Sequence, residues 1–311
     1  MHKTIRIGTR ESQLAVWQAM RVKDQLAQLG FESSLVYIKS EGDIDLKTPL
    51  YEMGVQGIFT RSLDIALLNN KIDVAVHSMK DVPTQLPTGI VQSAVLPRGP
   101  VNDLLVFKSS EAMEKYYSLK EDAHFVVATS SIRRKAQWLN RYPSHETQNL
   151  RGNVNTRLEK VNCENWGAAI FAQAGLERID LRPKTSLVLD WMLPAPAQGA
   201  IVVVSREDDE FTLDACKSLN DEFTEICTKI ERDFLRTLLG GCSTPISAFA
   251  KEESGYIHFK GNILSLDGTS KCEVEKKVDI NSSAELGINA AEDILDNGGA
   301  AIADSIRHAA K

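Results

Sequence analysis

Hydroxyl and guanidinium groups gather at three points of the 311-residue sequence where an apolar run gives way to an amphipathic one. Thr9-Arg10-Glu11-Ser12 is the first of them and Thr129-Ser130-Ser131-Ile132-Arg133-Arg134 the second. Arg151-Gly152-Asn153, with Arg157 one turn further on, is the third. Together these residue types can recognise anions. A helix N-terminus offers unpaired N–H groups and the positive end of a dipole. Guanidinium forks match carboxylate and phosphate geometry. Arginine in a first helical turn opposes the dipole, so a purely structural need would avoid it there. Taken singly, each junction is equally well explained by N-capping and solvated arginines. Taken together, they point to one polyanion-binding cleft. Lys80-Asp81 closes another apolar run, "IDVAVHS", and adds a carboxylate to these cations. Asp81 is either an ion-pair partner or an acceptor for a ligand N–H that also steadies a transient cation. His77, inside that run, reads as a strand residue satisfied by a neighbour.

The second chemical feature is Cys242 in "LLGGCSTPIS". It reads as filler, metal ligand, disulfide partner or attachment point. The five cysteines form no C-x-x-C pair, which argues against structural zinc and a redox dithiol. No metal site is expected. The N-terminus "MHKTIRIGTRESQLA" lacks an apolar signal core, so a reducing cytoplasm and free thiols are expected. A helix C-terminus disfavours a thiolate, so Cys242 does not read as a low-pKa nucleophile. Cys163, Cys216, Cys227 and Cys272 read as small core residues.

Alternating α and β elements must position these groups. "KTIRIG" alternates like a strand, and Ser12 stands as N-cap of a helix reaching about Leu29, with Gly30 as its stop. "SSLVYIK" is a second strand, Ser40 to Phe59 a long lid-like loop, and Thr60 to Asn69 a short helix. With "IDVAVHS" this order predicts a mostly parallel, helix-covered sheet. "LPRGPVND" (Leu96–Asp103) is a hinge into a second α/β unit, and "MLPAPAQGAIVVVS" a second crossing whose strand can return to the first sheet. Two hinges between two such units leave a cleft, where ligands commonly bind. Asp221 to Leu239 has a helical pattern, and the segments after it alternate like antiparallel strands before two final helices.

Apolar content of 43% and charged content of 25% are ordinary for a globular chain. The net charge of −6 does not favour a nucleic-acid partner. The longest apolar runs are strand-length, so no membrane partner is expected.

Six stretches now carry a resemblance: "IGTRESQLAVWQ", "DVAVHSMKDVPT", "ATSSIRRKAQ", "LRGNVNTRLEK", "AQGAIVV" and "ERDFLRTLLGGCSTPI". In this order and spacing the chain resembles the porphobilinogen deaminase family over almost its whole length. The resemblance implies an α/β fold of two type II periplasmic-binding-protein-like lobes around a cleft, plus a small C-terminal α+β domain. Residues 1–98 with 199–219 would form lobe 1, including the lid 40–59. Residues 103–194 would form lobe 2, and 221–311 the third domain. It implies a dipyrromethane cofactor thioether-linked to Cys242, and hydroxymethylbilane synthase activity. Four porphobilinogen units would be joined head to tail on that primer, with one ammonia lost per unit, and hydroxymethylbilane released for tetrapyrrole and heme biosynthesis.

Carried over by motif, Asp81 is the catalytic aspartate. It would bind pyrrole N–H groups and stabilise the cationic azafulvene formed when ammonia leaves, with proton transfer as a further role. Lys80, Thr129, Ser131, Arg133 and Arg134 would bind cofactor with Asp81 and Cys242. Arg10, Ser12, Arg151, Arg157, Gln18 and Gln198 would bind substrate. Each pyrrole carries an acetate and a propionate, which accounts for the arginine loops in an acidic protein. The resemblance implies a monomer. Two departures stand out. "GVQGIF" puts Gln56 where the family often has lysine in its lid, and "APAQGA" puts Ala197 in place of a hinge glycine, with Pro196 before it. A non-catalytic cytosolic receptor for a small carboxylate or phosphate anion is the alternative. It predicts a bare thiol at Cys242. A phosphate-handling transferase is the other, without a P-loop or dinucleotide fingerprint to support it.

Overall fold

Isoleucines 5 and 7 are fully buried in the first strand, β1 (Ile5–Thr9), and set the register of a five-stranded sheet. The structure, a computed structural model, describes residues 4–39, 60–118, 124–238 and 244–309. Cys242, and Gln56 with the rest of the expected lid at 40–59, lie outside the described residues.

Helix α1 (Gln13–Gln28) follows β1 and buries Ala19, Val22 and Leu26, one turn apart, against the sheet. It ends where Gly30, at φ 85°, donates to Ala27 O and Phe31 N–H to Leu26 O, a double bond pattern that satisfies the last carbonyls. Ser12 takes the N-cap position as expected, but its side chain makes no capping bond. β2 (Ser33–Tyr37), α2 (Arg61–Leu68), β3 (Val74–Ser78) and β4 (Ile90–Val95) continue this first unit. The chain then crosses to β5 (Asp103–Phe107), α3 (Ser110–Tyr117), β6 (Val126–Ala128), α4 (Ile132–Arg141), β7 (Glu146–Gln148), α5 (Val154–Cys163), β8 (Ala168–Ala172), α6 (Gln173–Glu177) and β9 (Ser186–Leu189). It returns as β10 (Ile201–Arg206), followed by α7 (Glu210–Lys217).

The first sheet has the order β2-β1-β3-β10-β4 and the second β7-β6-β8-β5-β9. These are one topology used twice. In each, four strands run in one direction, and one strand that arrives from the other unit runs antiparallel to both neighbours: β10 in the first, β5 in the second. The mostly parallel first sheet expected from the β-α-β-α-β order is found, with the returning β10 as its one reversed strand. β10 enters at the C-terminal end of β3, where Ile201 lies opposite Ser78, so it can only run back. The same geometry puts Asp103, the first residue of β5, opposite Ala172 and Leu189 at the ends of β8 and β9. Both crossings thus leave and enter at the sheet ends that carry the strand-to-helix loops.

Apolar clusters cover both faces of each sheet. α1 and α7 pack on one face of the first sheet and α2 on the other. In the second, α3 and α4 take one face and α5 and α6 the other. Each fully buried Leu or Ile in these layers contributes about 1.5–3 kcal/mol. Cys216 and Cys227 are buried as expected, but Cys163 is exposed at the end of α5, so the small-core reading does not hold there.

The third unit joins α8 (Glu222–Leu238) to the antiparallel sheet β11 (Ile246–Glu253), β12 (Tyr256–Leu264) and β13 (Lys271–Asp279), then α9 (Leu286–Ile294) and α10 (Ala300–Ala309). Alternate residues of the strands, such as Ile257 and Phe259, join Phe234, Leu238 and the last two helices in one core. The face bearing Lys260 and Glu275 is left to solvent.

The two crossings touch. Gly99 N–H donates to Gly199 O at 3.0 Å. A Cβ on Gly199 would lie 2.7 Å from Gly99 O, and its φ is +88°, so both close approach and backbone conformation require glycine. Two residues earlier Ala197 sits at φ 60°. A non-glycine residue in this left-handed conformation carries strain of about 1–2 kcal/mol, at the position where the resemblance implied a glycine.

Candidate functional site

β3 runs into a tight 3-10 turn, Met79–Asp81. Met79 is buried and its N–H donates to Ala200 O at 3.1 Å, which ties the turn to the returning crossing. Val82 N–H closes the turn onto Met79 O. With Met79 anchored inward, Asp81 stands exposed and Lys80 half-buried.

A line of polar contacts starts at Lys80. Its Nζ donates to Gln198 Oε1 at 3.2 Å. Gln198 Nε2 donates to Asp103 Oδ1 at 2.9 Å and to Val101 O at 2.6 Å. Asp103 is fully buried, and its two oxygens accept from Arg133 Nη2 and Arg134 Nη2, each at 2.7 Å. The line runs from the first sheet, through the returning crossing, into the second. Burial alone would raise the Asp103 carboxyl. The charges and hydrogen bonds of Arg133 and Arg134 reverse this and hold it well below the usual carboxylate range.

The arginine pair is buried, at 4% and 6% exposure, because Ser131 caps α4 and aims its first turn at the sheet end. Ser131 Oγ accepts from Arg134 N–H at 3.4 Å, while Thr129 Oγ1 accepts from Ser131 N–H at 3.2 Å. The remaining Nη groups donate to Leu193 O (2.7 Å) and Ile170 O (3.1 Å), which leaves both Nε atoms buried without a hydrogen-bond partner. Two guanidiniums against one carboxylate leave a positive excess.

Arg157 meets the same region from α5. Asn153 caps that helix by accepting from Thr156 N–H at 3.0 Å, and Arg157 Nε donates to Gly152 O at 2.7 Å. Burial pushes the Arg157 guanidinium down to about 10, helped by the like charges of Arg134, Arg151 and Arg10 and opposed by Asp81. Burial likewise pushes the Lys80 ammonium down to about 8, with Asp81 and Asp103 pulling up and Arg134 and Arg133 pushing down. Lys80 and Arg157 thus both feel the Asp81 charge, and Arg157 also feels Arg10, Arg134 and Arg151, so the loops after β1, β3 and β7 and the helices α4 and α5 contribute charge to one region. Arg10 follows β1, and its charge, after burial itself, lowers His77 to about 4. His77 is therefore a neutral imidazole near pH 7. Its Nε2 is buried without a hydrogen bond, so the expected satisfying neighbour is not found at that atom.

The other sequence-derived residues fall on the same rim or just behind it. Ser12 is half-buried at the start of α1. Arg151 is 4% exposed in the loop before α5. Gln18 lies behind β3, its Nε2 donating to Ser78 Oγ at 2.8 Å. Across the gap, Asn155 Nδ2 of α5 donates to Gln13 Oε1 of α1 at 3.1 Å. Arg178 lies over the Trp17 ring at 5.6 Å and donates to Gly199 O at 2.6 Å. The helix starts of the two units thus face each other across one cleft.

Sequence reasoning missed Asp103. The signal was a carboxylate heading the apolar run "LLVF", where burial demands counter-ions. It also missed Glu231 of α8, which accepts from Arg98 at 2.6 and 2.9 Å, from Ala197 N–H at 2.6 Å and from Ala250 N–H at 2.7 Å. That fully buried carboxylate joins the third unit to both crossings.

The description "Porphobilinogen deaminase, dipyromethane cofactor binding domain" matches residues 5–214, and "Porphobilinogen deaminase, C-terminal domain" matches residues 225–296. The chain belongs to the porphobilinogen deaminase family. A family member from Chlorobium phaeobacteroides, named porphobilinogen deaminase, is 38% identical over 99% of both chains. The chloroplastic porphobilinogen deaminase of Oryza sativa subsp. japonica is 39% identical over 97% of this chain and 86% of its own. That of Pisum sativum is 40% identical over 95% and 82% respectively. An ancestral cationic amino acid solute binding protein is 13% identical, covers 70% of this chain and 87% of its own, and superposes with a TM-score of 0.42, too slight a likeness to inform fold or function.

Proposed function

We propose that this chain is a hydroxymethylbilane synthase. It joins four porphobilinogen molecules head to tail on a covalent dipyrromethane, loses ammonia at each joining, and releases hydroxymethylbilane for tetrapyrrole and heme biosynthesis. The observation that carries this reading is the set of cations that share one region with an exposed carboxylate. Lys80, Arg10, Arg134, Arg151 and Arg157 all sense Asp81 or one another at the facing ends of two sheets. A growing polypyrrole is a polycarboxylate, and a site with this charge excess suits it. The buried, unbonded Nε atoms of Arg133 and Arg134 fit the same group.

In this reading Lys80, Thr129, Ser131, Arg133 and Arg134 hold the dipyrromethane, and Cys242 anchors it. Bound there, that group supplies the pyrrole carbon to which the first unit is joined. Arg10, Ser12, Arg151, Arg157, Gln18 and Gln198 line the path of the incoming substrate. Asp81 accepts pyrrole N–H bonds at its carboxylate oxygens and offsets the cation left on the substrate when ammonia departs. A proton shared at the same oxygens serves the departing amine. Gln198 acts by holding Lys80 and Asp103 in line rather than only by contact with ligand. Arg133 and Arg134 reach a ligand with the donors that Asp103 leaves over.

The division into lobe 1 (1–98 with 199–219), lobe 2 (103–194) and a third domain (221–311) is part of this proposal. Strand membership of the three sheets supports it. So is the placement of a monomeric chain in the cytoplasm. Among the described residues no helix is long and apolar enough to cross a membrane.

Intact mass of the purified chain tests the reading. The expected result is a covalent excess equal to two condensed porphobilinogen units, absent in Cys242→Ser. An unmodified mass in folded, active protein removes the cofactor assignment. A bare thiol with tight anion binding and no turnover favours the receptor alternative.

A further inference from the structure

We propose that Arg232, on the third unit's helix α8, is a positioning residue for Asp81. The proposal rests on the reading of Asp81 given above. Arg232 Nη1 donates to Val82 O at 2.9 Å and lies 3.4 Å from Met79 O, and Nη2 donates to Pro83 O at 2.5 Å. These carbonyls flank Lys80 and Asp81 on both sides. One guanidinium therefore gathers the backbone just before and just after the reacting carboxylate.

The turn needs such a hold. It is a single 3-10 turn closed by one backbone bond, Val82 N–H to Met79 O, and short 3-10 turns have poor hydrogen-bond geometry. Met79 anchors it from the β10 side through Ala200 O. Arg232 holds the residues after Asp81 from a rigid support. Its neighbour Glu231 is fully buried and bonded to Arg98, Ala197 and Ala250, so the helix backbone at this point cannot drift. A planar fork reaching three carbonyls is a task for arginine, which lysine's point charge cannot reproduce. A misplacement of about 1 Å at a reacting group can cost about 100-fold in rate. Helix α8 thus takes part in the reaction without touching substrate.

The test is a double-mutant cycle between Arg232→Gln and Asp81→Asn in the full-length, cofactor-bearing protein. Arg232→Gln is expected to keep the cofactor mass, to lower kcat about 100-fold and to change KM for porphobilinogen less than about threefold. Combined with Asp81→Asn, it should cost nothing beyond Asp81→Asn alone, because a positioning residue has no effect once the group it positions is gone. Asn140→Ala, which removes only the bond from α4 to Gly268 O of the third unit, serves as control and should leave kcat unchanged. Should Arg232→Gln not accumulate as folded protein, Arg232→Lys carries the same cycle with an expected loss of about tenfold. Losses that multiply in the double variant, or a wild-type kcat in Arg232→Gln, overturn the proposal. Near-normal turnover in Asp81→Asn alone overturns the reading of Asp81 instead, so the two failures are distinguishable.

Discussion

Arg98 and Glu231 form a two-pronged ion pair, 2.6 and 2.9 Å long, that joins the outgoing crossing to helix α8 with the carboxylate wholly excluded from solvent. The same carboxylate takes the N–H of Ala197 in the returning crossing, and Arg98 Nε donates to Gln198 O at 2.9 Å. Both hinges are therefore held by one side chain of the third unit. Relative movement of the two lobes has to carry this pair along or strain it.

Breaking the pair from one side leaves a buried charge unmatched. Arg98→Leu is expected to destabilise the chain by about 3–5 kcal/mol. Urea unfolding of the variant and the parent, read as a shift in midpoint at constant slope, checks this. A shift under about 1 kcal/mol would mean that the carboxylate is relieved in some other way, for example by taking up a proton.

Lys80 gives the alkaline side of the activity profile. Burial lowers its ammonium to about 8, so below that pH it is a cation and above it a neutral amine. If it binds a carboxylate, kcat/KM for porphobilinogen should fall as pH rises through 8, by about tenfold per unit at the limit. Lys80→Arg keeps its charge and should move this limb to higher pH. Steady-state rates between pH 6.5 and 9.5 would show it. An unchanged limb in Lys80→Arg would assign it to another group.

Asp73 gives an acid-side effect on stability that is separate from catalysis. It is almost wholly buried at the end of α2's loop, and burial alone would raise its carboxyl. Hydrogen bonds from Arg6 Nε (2.9 Å) and Arg6 N–H (2.8 Å), with Arg206 adding to them, lower it to about 2. With an unfolded value of about 3.9, the depressed group contributes about 2–3 kcal/mol. The sign follows from the direction of the shift. The contribution is complete above about pH 4 and fades as pH falls through 2. Asp73→Asn should lower stability at neutral pH and flatten its decline in acid. Parallel slopes for the two proteins between pH 5 and 2 would count against this.

Gln56 tests the sequence departure in the expected lid. Gln56→Lys should change KM for porphobilinogen by more than about threefold and leave the unfolding midpoint within about 0.5 kcal/mol of the parent. Identical steady-state kinetics would show that the position has no part in binding.

The local chemistry of this protein was readable from the chain alone. Ser131 and Asn153 cap α4 and α5 because capping depends on residues three apart. The Arg133-Arg134 pair, Lys80-Asp81 and the arginines at the helix starts stand out by type and position. The β1-α1 start and the two crossings followed from periodicity and from proline and glycine. Cys242 was equally visible as a motif, although it lies outside the described residues.

What only the tertiary structure decided is which charges are paired. Asp103 looked like the last residue of a hinge, yet it is the buried counter-ion of two arginines about 30 residues away. Gln198, expected to meet substrate, spends its amide on Asp103 and Val101, 95 and 97 residues away. Arg232 had no role in the motif reading and turned out to hold carbonyls 149 and 150 positions away. The antiparallel course of β10 belongs here too, since it depends on where the returning chain enters. The reason is physical. Caps and helix stripes are set by neighbours along the chain, within reach of their own turn. A buried charge is stable only when the fold delivers a partner to it, and that partner's place in the sequence leaves no local trace.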